Sequence, residues 1–176
     1  MRVWTIGHST RTIDEFVSLL KGHGIKFLAD VRLLPGSKRY PQFNKEALAD
    51  SSGNAGIRYE HFPELGGRRK PRKDSPNTAW RNESFRGYAD YMETEEFRKG
   101  IVRLLDLASQ TGSTAIMCAE AVWWRCHRSL ISDYLKVRGL EVVHIFEAKK
   151  TESHPYTSAA RILHGKLSYA AEDILL

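Results

Sequence analysis

Apolar positions along the chain alternate between short continuous runs and stripes at helical spacing. Val3-Trp4-Thr5-Ile6 reads as a first strand ended by Gly7, and Ile13, Phe16, Val17 and Leu20 then mark one face of a helix ending near Gly22 to Gly24. Phe27 to Val31 makes a second strand stopped by Pro35-Gly36. Asn44-Lys45-Glu46 opens a capped short helix, and a third strand covers Ile57 to Phe62. From Glu64 to about Asn82 the periodicity disappears and Gly, Pro and basic residues collect, which predicts a long loop. Helices resume over Phe85 to Met92 and Glu95 to Ala108, the latter with Phe97, Ile101, Leu104, Leu105 and Ala108 on its core face. Ala115-Ile116-Met117 is a buried strand, Leu130, Ile131, Tyr134 and Leu135 mark another helix, and Val142 to Phe146 another strand. Beyond Glu147 the pattern assigns no element. Strands alternating with amphipathic helices predict an α/β fold, a mainly parallel sheet flanked by helices. No repeat or composition break divides the chain, so one domain over 1–176, with a long basic loop at about 64–82, is expected.

Composition narrows the class. A chain of 176 residues matches about one domain, and 41% hydrophobic with 27% charged residues excludes a disordered tail, a fibre or a coiled-coil rod. The net charge is +6. Much of the excess sits in Arg68-Arg69-Lys70-Pro71-Arg72-Lys73, followed by Arg81 and Arg86, and this concentration points to an anionic partner, a nucleotide or nucleic acid. Trp80 beside Arg81 is a candidate stacking platform for a base. No window of about 18 apolar residues and no leader-like start occur, so no membrane contact and a cytoplasmic location are expected. The two cysteines, Cys118 and Cys126, are too few for a disulfide framework and are expected as free thiols.

Ligands of an open parallel sheet bind outside the carboxyl ends of its strands, which makes the residues after each strand candidates. The first strand delivers Gly7-His8-Ser9, the second Asp30 and Arg32, the third ends beside His61, and the Ala115 strand delivers Cys118-Ala119-Glu120. His8, Asp30, Cys118 and Glu120 are the candidate catalytic residues, with Glu120 as general acid or base. Ser9, Arg32, Cys126, His127 and Arg128 are candidates for substrate binding, and Gly66, Gly67, Arg68 and Arg69 for close approach to phosphate. A thiol facing a helix N-terminus and arginines becomes acidic, and Cys118 is expected to be more acidic than Cys126. His8 and Ser9 have a second reading as a cap or turn, and Asp30 and Arg32 as a structural ion pair; Arg32 has Glu120 as an alternative partner. On a helix, Cys126 and His127 would face different ways, which argues against a dyad. Zinc on Cys118, Cys126 and His8 or His61 is an alternative use of the thiols, although their spacing is not that of a zinc knuckle, and no cofactor is expected. The Cys-Ala-Glu triplet lacks the second cysteine pair of a zinc deaminase.

Thr5-Ile6-Gly7-His8-Ser9, Asp30-Val31-Arg32 with Pro35 and Ser37, Leu65-Gly66-Gly67-Arg68, and Cys118-Ala119-Glu120 followed by Cys126-His127-Arg128 together resemble the domain of unknown function 488 family over almost the whole chain. The resemblance carries no established activity and implies that these motif positions form one shared site. Three functions are compatible with them. The first is a hydrolase or group transferase acting on a nucleotide or nucleic acid through a Cys/Glu/His/Arg pocket. The others are a non-catalytic nucleic-acid-binding module and a thiol-redox or persulfide protein.

Overall fold

In the computed structural model, which describes residues 1–171, the elements follow the predicted alternation. They are β1 (Arg2–Gly7), α1 (Ile13–Gly22), β2 (Phe27–Asp30), α2 (Lys45–Asn54), β3 (Arg58–His61), α3 (Glu83–Tyr91), α4 (Glu95–Thr111), β4 (Thr114–Cys118), α5 (Arg128–Val137) and β5 (Glu141–Glu147). Where the hydrophobic pattern fell silent there are three short strands, β6 (Lys150–Ser153), β7 (Arg161–Leu163) and β8 (Lys166–Ser168). The one-domain expectation runs to residue 176, and 172–176 lie outside the described residues. Strand order is β3-β2-β4-β1-β5-β6; the first five are parallel, β6 is antiparallel to β5, and β7 and β8 form a separate hairpin. The protein is thus a single α/β domain, and no helix among the described residues is long and apolar enough to cross a membrane.

Strand alternation sends successive side chains to opposite layers. Ile6, Leu28, Ala115, Met117 and Ile145 meet Phe16 and Leu20 of α1 and Leu48 of α2 on one face. Val3, Phe27, Ala29, Ile116, Cys118 and Val142 meet α3, α4 and α5 through Tyr88, Phe97, Ile101 and Leu130 on the other. Helix starts are set by local caps: Thr12 accepts from the Glu15 N–H, Asn82 from Phe85 and Thr94 from Phe97. His8 and Ser9 therefore do not cap α1. Asn44 precedes α2 without a side-chain cap bond, because its amide oxygen accepts from the Ser37 N–H at 2.7 Å.

Helix α5 departs most from its sequence pattern. Besides Leu130, Ile131 and Leu135 it buries Arg128, Ser129, Ser132 and Asp133, since the last segment of the chain packs over its outer side. The Asp133 carboxylate gathers that segment: it accepts from His154 Nε2 at 2.8 Å, from the Thr157 N–H and hydroxyl at 3.0 and 2.6 Å, and from the Tyr169 hydroxyl at 2.8 Å. The chain of contacts continues inward from His154 to His144 (2.8 Å) and from His144 to the Thr5 hydroxyl (2.6 Å). Burial, reinforced by His154 and Arg128, lowers the His144 pKa to about 2, so this ring is neutral. Replacing Asp133 by Ala leaves several buried donors without an acceptor, and a loss of about 3–5 kcal/mol in urea unfolding is expected. A loss below about 1 kcal/mol would mean that the terminal segment is held by its apolar contacts alone.

Candidate functional site

The strand ends that carry the motifs stand level. Gly7 pairs with Cys118 and Asp30 with Met117, and the register continues into the loops: His8 N–H donates to the Cys118 carbonyl (2.9 Å), Ser9 N–H to Ala119 (2.9 Å) and Val31 N–H to Met117 (3.0 Å). The chain leaving β4 crosses directly over the end of β1. A Cβ on Gly7 would sit 1.7 Å from the Glu120 carbonyl oxygen, so only glycine allows that crossing.

On the α1/α2 side of this edge, Asp30, with no exposed surface, holds Arg32 by its Nε (2.9 Å), NH2 (2.7 Å) and backbone N–H (3.1 Å). The Tyr59 hydroxyl donates to the same carboxylate at 2.5 Å, and its pKa is raised by burial and by Asp30. Arg32 also donates to the Phe43 carbonyl and lies 3.4 Å from His8 Nε2. His8 stacks on Phe43 and donates from Nδ1 to the Ser9 carbonyl (2.8 Å), which leaves Nε2 as the acceptor facing Arg32. Ser9 itself adopts a left-handed conformation (φ 52°). The partner of Arg32 is therefore Asp30, and not Glu120.

On the other side a cavity of about 250 Å3 opens between the loops preceding α3 and α5. Arg32, Gly67, Arg68, Cys118, Glu120, Cys126 and His127 line it, joined by Tyr88 and Arg125. His8, Ser9, Asp30, Gly66, Arg69 and Arg128 do not line it. Gly66 and Gly67 give close approach to protein rather than leaving space for phosphate: a Cβ on Gly66 would meet Leu33 at 2.8 Å, and one on Gly67 would meet His127 Nδ1 at 2.9 Å. Among the described residues no group of three His, Cys, Asp or Glu side chains is arranged to hold a metal ion. His61, the other imidazole considered for zinc, donates to the Arg32 carbonyl at 2.7 Å.

The two thiols at the cavity floor differ in the direction opposite to expectation. Burial pushes the Cys118 thiol well up, and its neighbour Cys126 adds to this. Burial also acts on Cys126, but the Cys118 hydrogen bond, the Arg128 guanidinium and the Arg128 N–H (3.4 Å from Sγ) outweigh it and hold that pKa below its ordinary value. Cys126 has extended backbone before the helix begins, so helical geometry does not separate it from His127, and its Sγ lies 3.4 Å from His127 Nδ1. The other ring nitrogen donates to the Val31 carbonyl at 2.8 Å, which orients the Nδ1 lone pair toward the sulfur. The expected separation of Cys126 from His127 thus gives way to a thiol–imidazole contact. Arg128, 1% exposed, donates to the Glu120 carbonyl at 2.9 Å, while its buried Nε has no partner.

Part of the basic loop is engaged within the protein, while Arg68, Lys70, Lys73 and Arg81 are exposed. Arg69 donates to the Gly66 and Pro63 carbonyls and covers the Tyr91 ring, and Arg72 pairs with Asp74 and Glu93. Trp80 packs against Phe85 and Tyr169 in the core instead of offering a stacking face. Arg68 and Arg125 are the exposed guanidinium-bearing residues on the cavity rim. Tyr59 and the Thr5-His144-His154-Asp133 series were not apparent from sequence, because their partners are set by strand register and by residues far apart in the chain.

Burial, with help from Arg32 and against the Ser9 hydrogen bond, lowers the His8 pKa from 6.5 to about 4. Between these values the unfolded chain binds a proton that the folded chain refuses, so His8 makes stability rise with pH from about 4 to 6.5 and contributes no slope outside that window. His8→Gln, followed by urea unfolding across pH, should remove this component. The wild-type minus variant difference should change within the window and be flat above it. A constant difference would place an ionised His8 in the folded protein.

The model of the family described as Domain of unknown function DUF488 matches residues 12–135. Asp30 to Arg32, Leu65 to Arg68 and Cys118 to Arg128 fall inside that span, and Thr5 to Ser9 outside it. No curated protein and no solved structure matches the chain. With the match covering well over half of its length, the chain belongs to this family of unknown function.

Proposed function

We propose that the protein is a thiol-dependent hydrolase or group transferase acting on a small phosphate-bearing substrate such as a nucleotide, with Cys126 as nucleophile. The observation that carries this reading is that the Cys126 sulfur, which accepts from the Arg128 N–H, and the His127 imidazole beside it belong to the lining of one cavity with the exposed Arg68 and Arg125 on its rim. In this reaction His127 takes the Cys126 proton, the thiolate attacks phosphorus as an S–P bond forms and the bond to the leaving oxygen breaks, and that oxygen departs with the proton from His127. Glu120, exposed at the mouth, takes a proton from the water that hydrolyses the adduct. Arg68 and Arg125 hold the remaining phosphate oxygens.

A small substrate is favoured over a nucleic-acid polymer because Arg69, Arg72 and Trp80 are committed within the protein. The cavity volume agrees, since it lies just below the usual range of sites for drug-sized ligands, about 300–1,000 Å3. Asp30 and His8 serve this site indirectly by fixing Arg32 and the loop after β1.

With p-nitrophenyl phosphate and p-nitrophenyl esters of nucleoside monophosphates, the expected result is release of nitrophenolate and a covalent adduct on Cys126, detected by mass spectrometry after acid quench. Cys126→Ser should abolish the adduct. Arg68→Ala and Arg125→Ala should each raise KM about tenfold, equivalent to about 1.4 kcal/mol. An adduct on Cys118, or turnover that survives Cys126→Ser, would overturn the assignment.

A further inference from the structure

The hydrolytic scheme leaves Cys118 unused, although it lines the same cavity as the nucleophile. Its S–H donates to the Glu120 carbonyl oxygen at 3.7 Å, and its sulfur is placed to interact with that of Cys126. Both sulfurs line the same cavity, yet Cys118 is 2% and Cys126 6% exposed. The environments are asymmetric: Arg128 supports a thiolate at Cys126, whereas Cys118 is held protonated in the apolar layer beside Ile116 and Leu130. An acidic thiol is the one oxidised first, and a second thiol beside it closes the disulfide once its proton leaves with the sulfenic oxygen.

We propose that the site is redox-gated: a hydroperoxide oxidises Cys126, Cys118 closes a disulfide with it, and the closed pair stops the phosphate chemistry until a dithiol reopens it. This rests on Cys126 being the reactive thiolate, but not on the phosphate substrate. In the first step Cys126 sulfur attacks the distal peroxide oxygen. The S–O bond forms, the O–O bond breaks, the sulfur is oxidised to sulfenic acid, and the departing alkoxide or hydroxide takes a proton to leave as alcohol or water. In the second step Cys118 sulfur attacks Cys126 sulfur, an S–S bond forms, and the sulfenic oxygen leaves as water with the Cys118 proton. Two electrons have passed from the thiol pair to the peroxide.

Closing the disulfide also removes the negative charge next to Arg128, whose guanidinium has no carboxylate partner among the described residues. The oxidised state thereby leaves a buried cation less well compensated, which favours reopening by a dithiol.

The test treats the full chain with hydrogen peroxide or cumene hydroperoxide, then alkylates it and maps both cysteines by mass spectrometry. The expected result is loss of both alkylatable thiols, a Cys118–Cys126 disulfide within one chain, and full recovery in dithiothreitol. Recovery of Cys118→Ser and Cys118→Ala, each verified as folded by circular dichroism, should instead be lost. Both should carry a dimedone-trapped sulfenic acid on Cys126 that advances to sulfinic acid. The proposal is overturned if wild-type Cys126 reaches sulfinic acid while Cys118 remains alkylatable, if Cys118 is oxidised first, or if the disulfide joins two chains. A Cys126 phosphate adduct without the disulfide would refute the gating alone; the disulfide without any adduct would refute the phosphate reading alone.

Discussion

A guanidinium sealed inside the protein organises the segment between β4 and α5. Arg128 has 1% of its surface exposed and ties the Glu120 carbonyl back over the end of β1, the crossing that Gly7 makes room for. Burying such a cation costs several kcal/mol unless charge or dipoles surround it, and carbonyl oxygens meet only part of that demand. The remainder falls on whatever negative charge can approach, and the Cys126 sulfur, whose ionisation the guanidinium favours, can supply it. Arg128 therefore fixes the path of the loop and, together with the Cys118 hydrogen bond, lowers the pKa of the Cys126 thiol.

The sheet edge divides the motif residues into two clusters joined through backbone. Val31 accepts from His127, and Arg32 accepts from His61 while its side chain locks onto Asp30. The Asp-Val-Arg segment thus orients the imidazole beside the thiol with its main chain and braces the opposite layer with its side chains. His8, neutral and stacked on Phe43, belongs to that brace. A buried Asp30–Arg32 pair adds little net stability by itself, but removing either partner strands the other. Its value here lies in fixing geometry.

Much of this was legible in the sequence because period and strand ends are local signals. The five parallel strands, the five helices and the level edge follow from alternating apolar runs and from Gly or Pro stops. Which face each edge residue took was not legible, since one step of register moves a side chain through the sheet. Cys126 and His127 both precede Arg128, the first residue of α5, so helical spacing does not describe how they face each other. Trp80 and the basic loop looked solvated by composition, yet the loop turns back on Tyr91 and Asp90, and Trp80 finds Tyr169 from the far end of the chain. Strands β6 to β8 are exposed over most of their residues, and three- and four-residue edges leave no periodicity to read.

The central place of β1 constrains how the chain is born. Its neighbours on both sides, β4 and β5, begin at Thr114 and Glu141, so β1 has no partner until synthesis has passed β4. At about 5–20 residues per second, Val3 and Ile6 wait roughly 5–20 s without their sheet contacts. During that interval α1, β2, α2 and β3 can assemble only a partial layer around the β2–β3 pair, with both β2 and β1 edges unfilled. The insertion of β4 between them is then the step that commits the fold, and the same step delivers Cys118 to the site.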